Sequence, residues 1–218
     1  MAATSEIVFD IKEFAVHDGS KVGNHDDRID SLMTWLFDTF ADACEGYGRT
    51  SRGGILWPGT GSAMYYLWLA QGGHPGMREP VVGATAEGRK KGQPLGANLA
   101  PEQGVRIRGP ISELQSFARI DYRRICNGGP ITMELSDTVF RDAEALRKVA
   151  MLVRTFAQLG CQRLQLNSLD RETLLDARDH PERHQNLIVR VWGWSGYFCE
   201  LSPEYQDHII ARHRLSFS

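Results

Sequence analysis

The sequence predicts an α/β fold, and three observations carry that expectation. Residues 163–167 (RLQLN) alternate like a strand, residues 187–192 (LIVRVW) read as a β-branched buried strand, and amphipathic helices lie before, between and after them. The first helix runs from about Asp26 to Cys44, with Ile29, Leu32, Met33, Leu36, Phe37 and Phe40 at helical spacing. Asn24-His25-Asp26-Asp27 supplies its cap, and acidic residues suit the positive end of its dipole. Between Gly46 and about Pro110 the chain is rich in Gly and Pro, with short apolar pieces at 54–57 and 64–69. It reads there as loops laid over something larger, which predicts that part of its core comes from elsewhere. Helices follow at Ile111–Ile125 and Arg141–Leu159. The second presents Leu146, Val149, Val153 and Phe156, and Gly160 stops it. A short helix over Arg171–Arg178 ends before Pro181. Ser202-Pro203-Glu204 opens the last helix, which runs to about His213.

Composition narrows the function. The 218 residues carry 25 Lys and Arg against 27 Asp and Glu, a net charge of −2, so the basic footprint of a nucleic-acid binder is missing. The longest apolar run, Ala63–Ala70, is far too short to span a membrane. The opening residues MAATSEIVFD lack the apolar core of a signal peptide, which makes the cytoplasm the default location. Cys44, Cys126, Cys161 and Cys199 are too sparse for a disulfide scaffold and wrongly spaced for zinc, so they read as reduced packing thiols. No metal is expected.

Several short patterns fall short of a motif. Gly83–Lys90 has the glycine spacing of a phosphate loop but Arg89 where lysine belongs. Gly193-Trp194-Ser195-Gly196 is one residue short of a nucleophile elbow. Gly59-Thr60-Gly61 is a turn without the rest of a dinucleotide fingerprint. His180 and His184 have the spacing of helical metal ligands, yet Pro181 separates them and they read as a solvated loop pair.

The segment that stands out is Arg190-Val191-Trp192-Gly193-Trp194-Ser195-Gly196-Tyr197-Phe198. A strand runs into a glycine between two large aromatics. Glycine in such a place marks a bend, a bulge or a close backbone approach, and a plain hairpin tip with core tryptophans satisfies the physics. With the following Glu200-Leu201-Ser202-Pro203-Glu204-Tyr205-Gln206-Asp207-His208-Ile209-Ile210-Ala211-Arg212, however, RVWGWSGYF closely resembles the carboxyl-terminal signature of glycyl radical enzymes. Lys21–Asp27 (KVGNHDD), Gly83–Arg89 with Gly92–Leu95, and Leu164–Asn167 with Leu174–Ala177 and His180–Glu182 are similar to further ordered blocks of that family. The resemblance covers roughly residues 15–215.

The resemblance implies the carboxyl-terminal part of a ten-stranded α/β barrel, with residues 1–89 ending a pyruvate formate-lyase-like domain and residues 90–218 forming a glycine radical domain. It implies that Gly193 carries the radical. A planar Cα between an amide nitrogen and a carbonyl delocalises an unpaired electron into both, and only glycine has no Cβ to crowd that plane. Trp192, Trp194, Tyr197 and Phe198 are expected to pack tightly around it and exclude oxygen and water. Arg190 and Glu200 are expected to be structural ion-pair partners. No cofactor is expected to be bound. A separate activating enzyme using S-adenosylmethionine and an iron–sulfur cluster would install the radical, and the loop bearing Gly193 would swing out to meet it.

In that family a cysteine on a second loop takes over the radical. None of Cys44, Cys126 and Cys161 lies in a sequence resembling that loop, and Cys199 reads as a packing thiol. The chain is therefore expected to be a fragment of a catalytic subunit, without turnover alone. The remainder of that subunit and small accessory subunits are the implied partners, in an anaerobic host. Trp192 and Trp194 beside the glycine look most like the benzylsuccinate synthase branch, a lyase adding a toluene-like hydrocarbon to fumarate. The alternatives are formate acetyltransferase, decarboxylase or dehydratase types, a non-enzymatic spare glycyl-radical protein that repairs a damaged enzyme, and a plain α/β binding module.

Overall fold

The structure, a computed structural model, describes residues 21–60, 83–85, 89–91, 96, 98–101, 105–136, 141–191, 193–212 and 214–215. The segments at 63–70, 86–88 and 92–95, and Trp192, lie outside the described residues. Helix α1 spans Asp27–Gly46, with the Asp26 side chain accepting from the Arg28 N–H at 3.0 Å. Before it, Gly23 adopts a φ of +113° where a Cβ would come within 2.9 Å of Pro101 and 3.0 Å of Ile107, and the Gly23 and His25 amides donate to Ser116 Oγ. Helix α2 is Pro110–Phe117, shorter than expected because the chain turns through 118–125 instead of continuing. Arg124 in that turn pairs with Asp38, Asp42 and Glu45 of α1.

Strand β1, Ile131–Leu135, is followed by α3 (Ala143–Gln158) and β2 (Leu164–Ser168). The two strands pair in parallel from Ile131↔Leu164 to Leu135↔Ser168, so α3 is the crossover of a βαβ unit. Asp142 caps α3 by accepting from the Ala145 N–H at 2.8 Å. At its other end Gly160 (φ +72°) donates to Ala157 and Cys161 to Phe156, the paired reverse bonds of a left-handed helix stop. Asp170 caps α4 (Arg171–Asp179) through the Thr173 N–H at 3.0 Å. A hairpin of β3 (Ile188–Arg190) and β4 (Ser195–Tyr197) comes next, then α5 (Pro203–Ala211) and β5 (Arg214–Leu215). Strand β5 pairs in parallel with β1, giving the sheet order β2-β1-β5.

Two apolar clusters with no common member hold these elements. One gathers Leu114, Phe117, Ile125, Ile131, Met133, Leu135 and Leu152 around the sheet. The other gathers Leu174, Ala177, Val189, Val191, Phe198, Tyr205, Ile209 and Ile210 around the hairpin, α4 and α5. No helix among the described residues is long and apolar enough to cross a membrane.

Three further expectations change. In α1 the buried line is Asp30 and Ala41, with Met33 and Phe37 partly buried, while Leu32, Leu36 and Phe40 are exposed. Overlapping apolar lines share that helix, and packing selects the one that lets Arg124 reach its three carboxylates. In α3 Leu152 is the fully buried residue, flanked by Val149 and Phe156, and Leu146 and Val153 face outward. The 187–192 segment is half buried: Ile188 is exposed and Val189 is buried, because it pairs in a hairpin that covers only one of its faces.

Candidate functional site

The hairpin pairs Ile188↔Tyr197, Val189↔Gly196 and Arg190↔Ser195, and the Val191 N–H donates to the Trp194 carbonyl at 3.0 Å. Gly193 therefore sits at the tip, between the paired residues Val191 and Trp194. Gly193 has a φ of +65°, the left-handed conformation that tight hairpin turns demand and that glycine adopts freely. It is exposed, and a Cβ built on it would meet nothing within 4 Å.

Beneath the tip lies a polar face of the sheet. Thr132 and Glu134 on β1 stand in register with Gln165 and Asn167 on β2, on the face opposite Ile131, Met133, Leu135, Leu164 and Leu166. Gln165 Oε1 accepts the Gly193 N–H at 3.3 Å. Glu134 Oε1 accepts from Asn167 Nδ2 at 2.6 Å and from Arg212 Nη1 at 3.0 Å. The same Arg212 Nη1 donates at 2.8 Å to the carbonyl of Arg190, and Nη2 donates to that of Val191. One guanidinium thus holds a carboxylate on the sheet and two backbone carbonyls leading to the tip.

Burial sets the electrostatics around it. Desolvation, with Glu134 nearby, pushes the Glu113 carboxyl on α2 well above the ordinary range. Desolvation and then the Arg212 charge push the His208 imidazole down to about 3, so it is neutral. Burial raises the Cys161 thiol to about 11, and burial first, then Glu182 and Glu200, raises Cys199. Cys199 Sγ points at the carbonyls of His184 (3.5 Å) and Ala177 (3.7 Å), a packing arrangement. All four cysteines are free thiols.

The Glycine radical family profile matches residues 95–199, a stretch that includes Gly193, Gln165 and Glu134. The chain carries the glycine radical domain of the glycyl radical enzymes. Among curated relatives, a protein named "Probable dehydratase YbiW" of Escherichia coli is 31% identical over 93% of this chain and 25% of its own length. Trans-4-hydroxy-L-proline dehydratase of Clostridioides difficile is 29% identical over 90% of this chain and 24% of its own length. Among solved structures, the glycerol-bound B12-independent glycerol dehydratase of Clostridium butyricum superposes with a TM-score of 0.84 at 27% identity, covering 96% of this chain and 25% of that one. The chain spans about a quarter of the length of the curated relatives it matches. The α/β barrel fold of these enzymes is the fold to which its parallel sheet belongs.

Within the glycine radical domain the aromatic shield differs from expectation. Phe198 is fully buried, but Trp194 is 38% and Tyr197 42% exposed. Residues 195 and 197 of β4 both face the open side, and the Trp194 ring lies over Gly196. Arg190 reaches across the hairpin to Ser195 Oγ at 3.3 Å, and among the described residues it makes no ion pair with Glu200. His180 and His184 are not simply solvated: both contact the Asp176 carboxylate, at 3.5 and 2.6 Å. Arg89 is buried and folds back on the carbonyls of Gly83 and Lys90.

Sequence reasoning quoted Gln165, Asn167 and Arg212 only within family blocks, gave them no role, and passed over Glu134. A signal existed in RLQLN, because two polar residues two apart on a strand that pairs in parallel give it a polar face needing partners.

Proposed function

We propose that Gly193 is the residue that carries a carbon-centred radical, and that this chain is the radical-bearing portion of a glycyl radical enzyme of dehydratase type. The observation supporting the first part is the tip itself: an exposed glycine at which, its own atoms and its two chain neighbours aside, no heavy atom lies within 4 Å of the Cβ position. A hydrogen atom leaves Cα homolytically, taken up by a carbon radical that the activating enzyme forms by reductive cleavage of S-adenosylmethionine, and one electron stays on Cα. Nothing hinders the flattening that lets this electron delocalise into the adjoining nitrogen and carbonyl. Exposure also gives a separate activating enzyme, using S-adenosylmethionine and an iron–sulfur cluster, access to that hydrogen. The protein holds no cofactor of its own in this reading. In the cell it works in the cytoplasm, with the remainder of a catalytic subunit supplying the cysteine that takes over the radical. Residues 1–89 belong to the preceding domain and 90–218 to the glycine radical domain.

The dehydratase type is favoured over the hydrocarbon–fumarate lyase that Trp192 and Trp194 suggested, because the named relatives include hydroxyproline and sulfopropanediol dehydratases and a glycerol dehydratase structure. Isethionate sulfite-lyases and an indoleacetate decarboxylase are also relatives, so loss of a small group from the substrate is the broader class. The test is anaerobic treatment with an activating enzyme, followed by electron paramagnetic resonance and then by mass measurement after exposure to air. A carbon-radical signal and a backbone cut at Gly193, both missing in Gly193→Ala, support the reading. An intact chain with no signal overturns it. Water-eliminating turnover of small diols by the activated catalytic subunit tests the reaction type.

A further inference from the structure

We propose that Arg212 is the positioning residue of the Gly193 loop: anchored by Glu134 on the sheet, it holds the carbonyls of Arg190 and Val191 and so fixes where the tip stands. Several observations converge on it. The hairpin belongs to an apolar cluster with no member in common with the cluster around the sheet, so apolar packing within either cluster does not join the two. The hydrogen bonds that tie the hairpin to the sheet run through side chains, Arg212 to Glu134 on one side and Gln165 to the Gly193 N–H on the other. Arg212 is 8% exposed and its partner Glu134 is correspondingly enclosed, which strengthens charge-assisted bonds and makes each one costly to break. Asn167 Nδ2 donates to the same Glu134 oxygen and keeps the carboxylate turned toward the guanidinium. The planar fork matters: Arg212 Nη1 serves Glu134 and the Arg190 carbonyl while Nη2 serves the Val191 carbonyl. A lysine at that position keeps the charge but presents one nitrogen.

That the positioned residue is a radical carrier rests on the reading proposed above, whereas the positioning itself does not. The experiment is amide hydrogen exchange on the full chain, comparing wild type with Arg212→Lys and Glu134→Gln. The reporter is the Gly193 N–H, and the reference amides are those of β1 and β2. Loss of the forked contact is expected to speed exchange at Gly193 about tenfold in Arg212→Lys and less in Glu134→Gln, with the sheet amides unchanged. Unchanged exchange at Gly193 overturns the proposal. So does equal acceleration across β1 and β2, which would make Arg212 a support of the whole fold. If Arg212→Lys does not fold, Glu134→Gln, which preserves shape and the acceptor for Asn167, carries the same comparison.

Radical yield after activation is the second readout. Wild type without a radical sinks the function proposed for Gly193 and leaves the exchange result standing. Wild type with a radical, but variants with unaltered Gly193 exchange, sinks the role of Arg212 alone.

Discussion

Trp194 lies with its indole over Gly196, so close that a Cβ on residue 196 would come within 2.7 Å of the ring. Trp194 stands just before β4 and two residues from Gly196, so the two share a face of the hairpin arm, and the missing side chain of one is the seat of the other. Replacing Gly196 with Ala therefore displaces the indole, which is partly exposed and can swing away. The expected outcome is a shifted Trp194 indole N–H resonance with a stability change below about 1 kcal/mol, since alanine in a strand offsets the strain. An unmoved resonance would mean that the ring does not rest there in solution.

Gly193→Ala meets no steric obstacle but must hold an L-residue at a φ of +65°. That conformation costs about 1–2 kcal/mol for a residue with a Cβ. Denaturant unfolding of the variant is expected to show that loss with its slope unaltered. The fold survives, so absence of a radical in this variant speaks to chemistry and not to unfolding.

Glu113 is buried and its carboxyl is held protonated by desolvation and, secondarily, by Glu134. A raised carboxyl favours the fold fully below its unfolded value of about 4.5, and that contribution is lost as pH rises through the folded value. Between the unfolded value and the raised folded value unfolding releases this proton, so stability from this group falls with rising pH by about 1.4 kcal/mol per unit in that window. The Glu113→Gln variant lacks the dependence. Urea midpoints measured from pH 5 to 8 are expected to shift progressively in its favour, and a constant difference would show that Glu113 ionises within the fold.

His208 has the opposite sign. Its imidazole is neutral in the fold down to about pH 3, first because of burial and then because of Arg212, and charges near 6.5 once unfolded. Its stabilising effect is present above about 6.5 and is lost as pH falls from there toward 3. His208→Gln is expected to flatten the decline in stability between pH 6.5 and 4.5 relative to wild type. Parallel curves would refute the burial of a neutral ring.

Much of the fold was legible because it is written locally. Asp26, Asp142 and Asp170 stand where helices begin and Gly160 where one ends, and each does so through bonds to residues a few positions away. The face each helix buries was not legible. In α1 the lines through Leu32 and Met33 are both apolar, and the one that is buried, with Met33, Phe37 and Ala41, packs on a cluster built mostly from residues far along the chain. Strand β1 escaped notice because five alternating residues after Gly128-Gly129-Pro130 give a weak signal until β2 and β5 flank them. The tip glycine could be picked out from its neighbours alone. Its supports could not, since Gln165 is 28 residues from Gly193 and Glu134 is 78 from Arg212.

The sheet order carries a mechanical consequence. The chain leaves the sheet at Ser168, opposite Leu135, and rejoins it at Arg214, opposite Glu134, so the intervening hairpin unit is pinned on both flanks of the same end of β1. The two pins stand two strand spacings apart, about 10 Å. A body fixed at two nearby points keeps one easy freedom, rotation about the line through them. The Arg212–Glu134 and Gln165–Gly193 bonds stand across that rotation, so the tip is held against the sheet like a drawbridge by its latch.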